Sequence, residues 1–480
     1  MRYADITTKD CNRREFVGGV IAFFAAIHSN LLLAGQKQPN LRMGVISDVH
    51  LSRNGDGNHR RLQRVLRYFD ARGVDVVVLS GDIGCFSQPS EMQVLADEWQ
   101  RAFPGNKGCD GRPVERLFVT GNHDEMAGIW FPDEEARQKC YETSFSRNPV
   151  KYWKEIFGMD YEPVFSRKIK GYDFVGVNYG HEAELEPWMA AHGAALKGTK
   201  PFFFIQHLHP RKTCCQEGAA CDSGVSTRVL SGYPNCFAIS GHSHRPLADE
   251  RNVWQGAFTS IGASTLSTLL WPSNCENSYV PIVRRKQFGK LRMPVLNAKG
   301  SHHGMYVEVW DDRINIERID FYPMRFVGPE WTLPLPLETH PDKPFVFAER
   351  GSAPRFNPSD KIKVVRRKGR TRDGEVENQL AVTCPPAHIG DPYGRVIYYV
   401  ATSVDASSGK KLLERRAMAY DYFMPVEHAK TVSGEVVFGE SEFAPGSKIV
   451  FRIKAVNAAG RCSGEIVSTP VEIPAKEACA

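Results

Sequence analysis

Aspartate, asparagine and histidine side chains recur directly after short apolar runs in the first half of this 480-residue chain. All three types can bind a metal ion through oxygen or nitrogen. A lone histidine after a strand is more often a structural residue, but an ordered series of such matches is not explained by chance. The series is Asp48-Val49-His50, Gly81-Asp82, Gly121-Asn122-His123-Asp124, His207 and Gly241-His242-Ser243-His244. It predicts one metal site that is built without cysteine.

The apolar runs that precede these residues have the pattern of strands buried on both faces, because they are continuous rather than alternating. Between the first two runs, apolar residues at helical spacing predict a helix over His59–Ala71, with Asn58 as its N-cap and Gly73 after its end. Ligands of open α/β sheets bind beyond the carboxyl ends of the strands, so the runs would direct their polar residues to one place. The residues alone predict a single doubly wound sheet. The runs are Met43–Ile46, Val76–Leu79, Leu117–Val119, Phe202–Ile205 and Phe237–Ile239.

The ordered motifs resemble those of the calcineurin-like metallophosphoesterases, from about Leu41 to Pro336. The resemblance implies a different fold class from the single sheet, namely an α/β four-layer α-β-β-α sandwich. It also implies two divalent or trivalent metal ions, which clamp the attacking and leaving sides of a displacement at phosphorus. Carried over by position, the resemblance implies one ion on Asp48, His50 and His244, a second on Asn122, His207 and His242, and Asp82 as the bridge.

Two further residues receive catalytic roles from this resemblance. His123 matches the non-ligand histidine of the family, which stabilises phosphate oxygens or protonates the leaving alkoxide. Asp124 is expected to orient His123, with an ordinary turn carboxylate as the alternative. His209 competes with His207 for one ligand position, and His207 is favoured because it directly follows an apolar run. Cys85 stands where purple acid phosphatases have a tyrosine, so a purple enzyme is not expected, and mixed N/O ligands suit Mn, Fe, Zn or Ni.

The predicted function is hydrolysis of a phosphodiester or phosphomonoester by metal-activated hydroxide. The motifs also occur in cyclic-nucleotide phosphodiesterases of the family, which tilts the expectation towards diesters. Specificity would come from the loops Glu125–Pro163 and His181–Lys200 and from residues that could meet phosphate, namely Arg53, Asn54 and Arg245. The competing hypothesis is a non-catalytic envelope-binding or adhesion protein that uses the same fold as a scaffold.

The amino-acid composition is typical of a globular protein, and the net charge argues against one class of partner, nucleic acid. Hydrophobic residues make up 42% of the chain and charged residues 24%, which excludes a disordered chain. The net charge of +6 comes from 61 basic and 55 acidic residues, without a dense basic run. We therefore expect no specific nucleic-acid binding. The family resemblance implies a phosphorylated small-molecule or polymer substrate. The sequence does not predict an oligomeric state.

The first 37 residues predict an export signal that resembles the twin-arginine type. Arg13 and Arg14 are followed by Phe16 and an apolar stretch over Val17–Ile27. An uncleaved anchor is the alternative, but the apolar stretch is shorter than the roughly 20 residues of a membrane span. We expect a periplasmic, cell-surface or extracellular protein, with contact to a membrane only through this segment.

Cysteine usage agrees with export. The chain has 12 cysteines, of which Cys11 would leave with the signal. A crowded group could form a disulfide-pinned loop or a zinc site, and disulfides or inert thiols are favoured because two of its members are adjacent. The group is Cys214, Cys215, Cys221 and Cys236.

A Pro-rich stretch from Leu333 to Pro344 predicts a linker between two domains, over 38–340 and 346–475. Beyond it, alternating strands predict a small β-sandwich. Ala444-Pro445-Gly446 before Lys448–Ala455 resembles a fibronectin type III module, although Cys384 and Phe451 stand where that family has Trp and Tyr. The other predicted strands are Gln379–Cys384, Val396–Val404, Lys411–Ala417 and Gly434–Phe438.

Overall fold

The computed structural model of the chain describes residues 37–52, 57–128, 131, 133–214, 220–270, 275, 302–337, 343–346, 351–371, 374–391, 393–419, 422 and 434–475. The predicted export signal therefore lies almost wholly outside the described residues. Within them, a mixed α/β region is followed by an all-β region, which confirms the coarse fold class. None of the described helices combines the length and the apolar character that crossing a bilayer requires.

The mixed region contains thirteen strands and seven α-helices within the described residues. The strands are β1 (Leu41–Ile46), β2 (Val76–Ser80), β3 (Glu115–Val119), β4 (Val164–Ile169), β5 (Tyr172–Val177), β6 (Phe202–Ile205), β7 (Cys236–Ser240), β8 (Val253–Gln255), β9 (Thr259–Gly262), β10 (His303–Val309), β11 (Arg313–Asp320), β12 (Arg325–Phe326) and β13 (Trp331–Pro334). The helices are α1 (Asn58–Ala71), α2 (Pro89–Ala102), α3 (Asn122–Glu125), α4 (Glu134–Glu142), α5 (Pro149–Phe157), α6 (Leu185–His192) and α7 (Val225–Leu230).

These strands form two sheets rather than the single sheet that the apolar runs alone predict. The first sheet has the order β12-β11-β10-β1-β2-β3, with β13 also paired to β11. The second has the order β4-β5-β6-β7-β9-β8. Parallel pairing joins β1, β2 and β3 in the first sheet and β5, β6, β7 and β9 in the second. The five strands with polar residues at their ends are thus divided between two sheets.

Alternate residues along each strand explain why both sheets are buried on both faces. In the first sheet, Val45 and Val78 share one hydrophobic core with Phe203 and Ile239 of the second sheet. The neighbouring residue Ile46 faces a different core, which contains apolar side chains of α1, α2 and α5. The outer face of the second sheet packs with α6 and α7. Continuous apolar runs are the sequence pattern that this packing requires.

Local details correct two expectations. The N-cap of α1 is Gly57, whose φ is 93°, and Asn58 is the first helical residue. The Asn58 amide instead donates to the carbonyl oxygen of His50 at 2.6 Å. The predicted linker is also partly structured, because Leu333 lies in β13 and is buried with Phe345 in the core between the sheets.

The all-β region is built from two antiparallel sheets. Its strands are β14 (Lys363–Arg370), β15 (Val376–Thr383), β16 (Val396–Asp405), β17 (Lys411–Met418), β18 (Glu435–Gly439), β19 (Lys448–Asn457), β20 (Ile466–Val467) and β21 (Val471–Glu472). One sheet has the order β14-β15-β18 and the other β17-β16-β19-β20, with β21 also on β19. Apolar side chains from both sheets, among them Leu380 and Phe451, form one core. We call this region the C-terminal sandwich.

The core between the first two sheets gives a test of the fold. Phe203 is fully buried there, and its ring stacks on that of Phe174 at a centroid distance of 4.9 Å. We expect Phe203→Ala to lower the free energy of unfolding by about 3–5 kcal/mol, because the cavity cannot close fully. Val150→Ala, at a side chain that is 59% exposed, should change it by less than about 0.5 kcal/mol. Equal denaturation midpoints for the two variants would contradict the packing described here.

Candidate metal centre

The ligand-type residues lie in the turns that follow β1, β2, β3, β6 and β7. Left-handed backbone is concentrated among them, because φ is 51° at Asp48, 49° at His50, 53° at Asp82, 64° at His242 and 49° at His244. Residues other than glycine adopt this conformation rarely, at a cost of about 1–3 kcal/mol each. The intrinsic backbone preferences of these residues therefore do not explain the turn conformations. The turns are explained by the side chains that they bring together.

Asp48, His50, Asp82 and His244 form a first group, in which one ligand atom of each residue lies within 4.8 Å of the others. Nε2 of His244 is 2.9 Å from Oδ1 of Asp48 and 3.1 Å from Nε2 of His50. Nε2 of His50 is in turn 3.7 Å from Oδ2 of Asp82. Two imidazole nitrogens and two carboxylate oxygens thus surround a common point.

Asp82 also belongs to a second group, with His207 and His242. Nε2 of His207 is 3.0 Å from Nδ1 of His242, 3.0 Å from Oδ1 of Asn122 and 3.3 Å from Oδ1 of Asp82. Asp82 therefore presents Oδ1 to the second group and Oδ2 to the first. A carboxylate that faces two groups through different oxygens has the geometry that a bridging ligand needs.

The donor atoms of both groups fit a cation. Nδ1 of His207 is 2.8 Å from the carbonyl oxygen of Ser80, and Nδ1 of His244 is 2.7 Å from that of Thr268. Because a carbonyl only accepts, we assign the hydrogen to each Nδ1, which leaves the lone pair of each Nε2 directed at its group. Oδ1 of Asp48 is buried and accepts no hydrogen bond from the described residues. Converging lone pairs of this kind are stabilised by a cation, so the residue set can hold two metal ions.

Burial and neighbouring charges together set the protonation states. Burial acts to raise the pKa of Asp82, but the imidazoles of His207 and His50 outweigh it and hold this pKa at about 2. Burial likewise opposes charge on Asp48, but His244 holds its pKa well below the usual range. Burial lowers the pKa of His50 to about 3. Against the effect of burial, the carboxylates raise the pKa of His207 to about 10, so a proton competes with a cation at that nitrogen.

His123 lies beside both groups without belonging to either. Its Nδ1 is 2.8 Å from the carbonyl oxygen of Cys85, which directs Nε2 towards the site, 3.9 Å from Oδ2 of Asp82. Its ring meets that of His50 edge to face at a centroid distance of 4.4 Å. The side chain is 19% exposed. A bound substrate can therefore reach Nε2 of His123, whose role as the non-ligand histidine stays a prediction.

The hydrogen bonds of the Asp124 carboxylate in the structure are with backbone groups, and the residue's expected role of orienting His123 stays a prediction. Its carboxylate is fully buried and accepts hydrogen bonds from the backbone N–H groups of Gly121, Gly84 and Ile83, at 2.8, 2.9 and 3.1 Å. These bonds tie the turn after β3 to the turn after β2. Asp124 therefore positions the two turns that carry Asn122 and Asp82, which is the turn-carboxylate alternative.

The remaining candidates lie around the site or outside the described residues. His209 is in neither group, since its Nε2 is 2.9 Å from Oγ of Ser243. Arg245 donates through Nη1 to the carbonyl oxygen of Cys214 at 2.6 Å. Arg53 and Asn54 lie outside the described residues, so their contact with phosphate stays a prediction.

The cysteines take no part in the two groups that the described residues form. Cys109, Cys140, Cys236 and Cys462 are free thiols. Cys236 begins β7, where burial raises the pKa of its thiol well above the usual value. The disulfide-pinned loop therefore does not extend to Cys236, and Cys215 lies outside the described residues.

Sequence reasoning missed the backbone groups that orient the ligands. The carbonyl oxygens of Ser80, Cys85 and Thr268 each accept from a site histidine. Any residue type supplies a carbonyl, so no side-chain pattern could have identified them. Thr268 lies well outside the five motifs.

Comparison with known proteins identifies the domain. Residues 41–266 match the family model described as "Calcineurin-like phosphoesterase superfamily domain". The chain thus contains a calcineurin-like phosphoesterase domain, which confirms the resemblance drawn from the five motifs. No curated protein matches the chain.

The solved structures that match part of this chain include three whose names describe phosphoester hydrolases. A dimetal phosphatase from Danio rerio is 12% identical over 62% of this chain and 99% of its own, with a TM-score of 0.35. A purple acid phosphatase from yellow lupin is 12% identical over 62% and 54% of the two chains, with a TM-score of 0.36. An archaeal phosphodiesterase is 12% identical over 61% and 100%, with a TM-score of 0.24.

Gly121 provides a test of the metal centre. A Cβ at this position would lie 2.2 Å from Oδ1 and 2.4 Å from the backbone nitrogen of Asp82. We expect Gly121→Ala to displace Asp82 and weaken metal binding at least ~10-fold, the usual scale for a perturbed ligand support. Equilibrium dialysis with Mn²⁺ or Zn²⁺ measures this. Gly464→Ala, where nothing lies within 4 Å, is the control, and native affinity in both variants would contradict the arrangement.

Proposed function

We propose that this protein is an exported, dinuclear-metal-dependent phosphoesterase that hydrolyses a phosphodiester or phosphomonoester. The observation that carries the proposal is the position of Asp82, whose two oxygens face two separate ligand groups within a calcineurin-like phosphoesterase domain. Bound ions would polarise the phosphoryl group and activate water. Manganese, iron, zinc and nickel all suit mixed nitrogen and oxygen ligands.

The chain's own residues supply the remaining parts of the reaction. The low pKa values of Asp48 and Asp82 keep both carboxylates ionised at neutral pH, so they offset the charge of the cations without needing to lose protons. His123 presents Nε2 beside Oδ2 of Asp82. From there a protonated His123 can donate to a phosphate oxygen or to the leaving alkoxide. No covalent protein nucleophile is required, because phosphoryl transfer depends mainly on positioning and charge stabilisation.

Within this class we favour a diester as substrate. The support is the resemblance of Asp48-Val49-His50-Leu51 and Gly121-Asn122-His123-Asp124 to motifs of cyclic-nucleotide phosphodiesterases. The same two ligand groups can serve monoester hydrolysis, so the loops around the site decide between the two. The first of the two predicted specificity loops, Glu125–Pro163, contains α4 and α5, and the second, His181–Lys200, contains α6.

Turnover of model esters tests the proposed activity. With Mn, Fe, Zn or Ni added to the metal-free protein, we expect hydrolysis of bis-p-nitrophenyl phosphate and, more slowly, of p-nitrophenyl phosphate. The ratio of the two kcat/KM values reports the preference for diesters. An absence of turnover of both esters with every metal would favour the non-catalytic binding protein.

Alanine variants of Asp82 and His123 should distinguish a loss of metal binding from a loss of catalysis alone. Asp82→Ala removes the side chain shared by both groups, so it should abolish metal binding and activity together. His123→Ala should retain the metal and lower kcat by ~10²–10⁴-fold, the range for loss of a general acid. Metal analysis beside steady-state kinetics distinguishes the two variants. Loss of metal from His123→Ala would show that this side chain is a ligand.

The C-terminal sandwich is proposed to be a fibronectin type III-like module. The support is its strand arrangement, in which three strands, β14, β15 and β18, face a sheet with the order β17-β16-β19-β20. Phe451 fills the position expected for a core tyrosine and is fully buried. Cys384 is also buried and belongs to the same core.

Export is proposed from the first 37 residues. The support is the Arg13-Arg14 pair before an apolar stretch. In a bacterial host, we expect the mature protein in the periplasmic fraction or medium, without its first residues. Replacing both arginines by lysine (R13K with R14K) should retain it in the cytoplasm, because a twin-arginine signal depends on that pair. N-terminal sequencing and fractionation measure this, and unchanged export of the double variant would exclude the twin-arginine type.

A further inference from the structure

His244 of the first group is held by a segment that lies beyond the five motifs. Its ring is oriented by the carbonyl oxygen of Thr268, 2.7 Å from Nδ1. Its own carbonyl oxygen accepts from the backbone N–H of Leu270 at 2.9 Å. Both the ring and the backbone of His244 thus depend on the position of residues 268–270.

The residue between these two contacts is anchored in the C-terminal sandwich. Leu269 is fully buried and belongs to the same hydrophobic core as Leu380 and Phe451. Its neighbour Leu270 is 51% exposed, so within residues 268–270 it is the Leu269 side chain that is buried in this core. The position of the Thr268 carbonyl therefore depends on the packing of the sandwich around Leu269.

The chain that directly follows His244 is anchored in the same region. Ala248 is buried in the core of the sandwich. Oδ2 of Asp249 accepts from the hydroxyl of Tyr422 at 2.9 Å, and Oε1 of Glu250 accepts from Nε of Arg395 at 2.8 Å. Asp249 and Glu250 are almost fully buried. Breaking buried pairs of this kind is costly, so these contacts hold the segment firmly.

We propose that the C-terminal sandwich positions the metal ligand His244. The sandwich fixes residues 248–250, which follow His244 in the chain, and Leu269, whose neighbour Thr268 orients the imidazole. Leu269 and Tyr422 are positioning residues, because Leu269 acts through the backbone of Thr268 and Tyr422 acts through Asp249. In the second group, by contrast, His207 is oriented from within the first sheet, by the carbonyl oxygen of Ser80 in β2. The inference rests on the proposed function insofar as His244 binds a metal.

If the sandwich positions His244, a change at Leu269 should weaken the binding of one metal ion and spare the other. Leu269→Ala should displace the Thr268 carbonyl and weaken one of two bound ions by about 10–100-fold, as loss of an orienting partner does. The other ion should keep its affinity. Leu269→Met, which conserves volume, should restore both. The measurement is the number and affinity of Zn²⁺ ions per full-length chain, by elemental analysis and competition with a chelating dye.

Leu380→Ala is the matched control. Leu380 is also a fully buried leucine of the sandwich core, but it lies in β15 and not in residues 248–250 or 268–270, which are the segments that contact or follow His244. We expect it to lower the denaturation midpoint to a similar extent as Leu269→Ala and to leave both ions bound. Equal metal binding by the two leucine variants, either both native or both weakened, would overturn the positioning role.

Tyr422→Phe provides a second variant if Leu269→Ala does not fold. It removes a single hydroxyl and leaves Asp249 paired with Arg251, whose Nη2 is 2.6 Å from Oδ2. In Tyr422→Phe, one of the two bound ions should lose several-fold in affinity while the other keeps it. Native affinity for both ions would count against the proposal. Failure of the wild-type chain to bind two Zn²⁺ ions would contradict the proposed dinuclear centre itself, which separates the two results.

Discussion

The structure of this site depends on one shared carboxylate. Asp82 lies at the end of β2 in the first sheet, and its two oxygens face histidines that come from both sheets. Because it is buried, its charge is tolerated only through these neighbours, which hold its pKa at about 2. Around this charge the two ligand groups, the strained turns and the supporting carbonyls are arranged.

The strained backbone of this site costs conformational free energy, and the rest of the domain offsets that cost. Five ligand-type residues hold left-handed backbone, and glycine is required where the turns approach one another. At Gly241, for instance, a Cβ would lie 1.9 Å from Oγ of Ser47 and 2.5 Å from Oδ2 of Asp48. The large apolar core between the sheets stabilises the fold enough to keep these local conformations. Rigid strands behind each turn then limit how far a ligand can move.

The sequence predicts the parts of this structure that depend on local pattern. The five apolar runs coincide with β1, β2, β3, β6 and β7 because strands buried on both faces must be continuously apolar. In contrast, β4 and β5 contain polar residues such as Arg167 and Asp173, and the apolar pattern does not identify them. The basic strand β14, Lys363–Arg370, was missed for the same reason. Division of the strands into two sheets depends on long-range pairing, and only the family resemblance anticipated it.

For the candidate site too, local sequence motifs predict one part of the structure and fail to predict the part that depends on residues distant in the chain. The motifs name all the residues of the two ligand groups, because metal binding restricts the side-chain type. They do not name the Thr268 carbonyl or the buried hydrogen bonds of Asp124, because a backbone group carries no side-chain signal. The expected role of Asp124 in orienting His123 stays a prediction. Its neighbours in space, Gly84 and Ile83, come from a different turn.

The distance along the chain between Leu269 and its packing partners has a consequence for the order of events during biosynthesis. Strands β16 and β19, which contribute to the core that contains Leu269, are synthesised long after the last metal ligand has left the ribosome. Until they fold, the support for His244 is incomplete, and a nascent chain presents at best a partial binding site. Full metal loading would then follow chain completion, so the state of the last third of the protein would determine when the first two thirds become active.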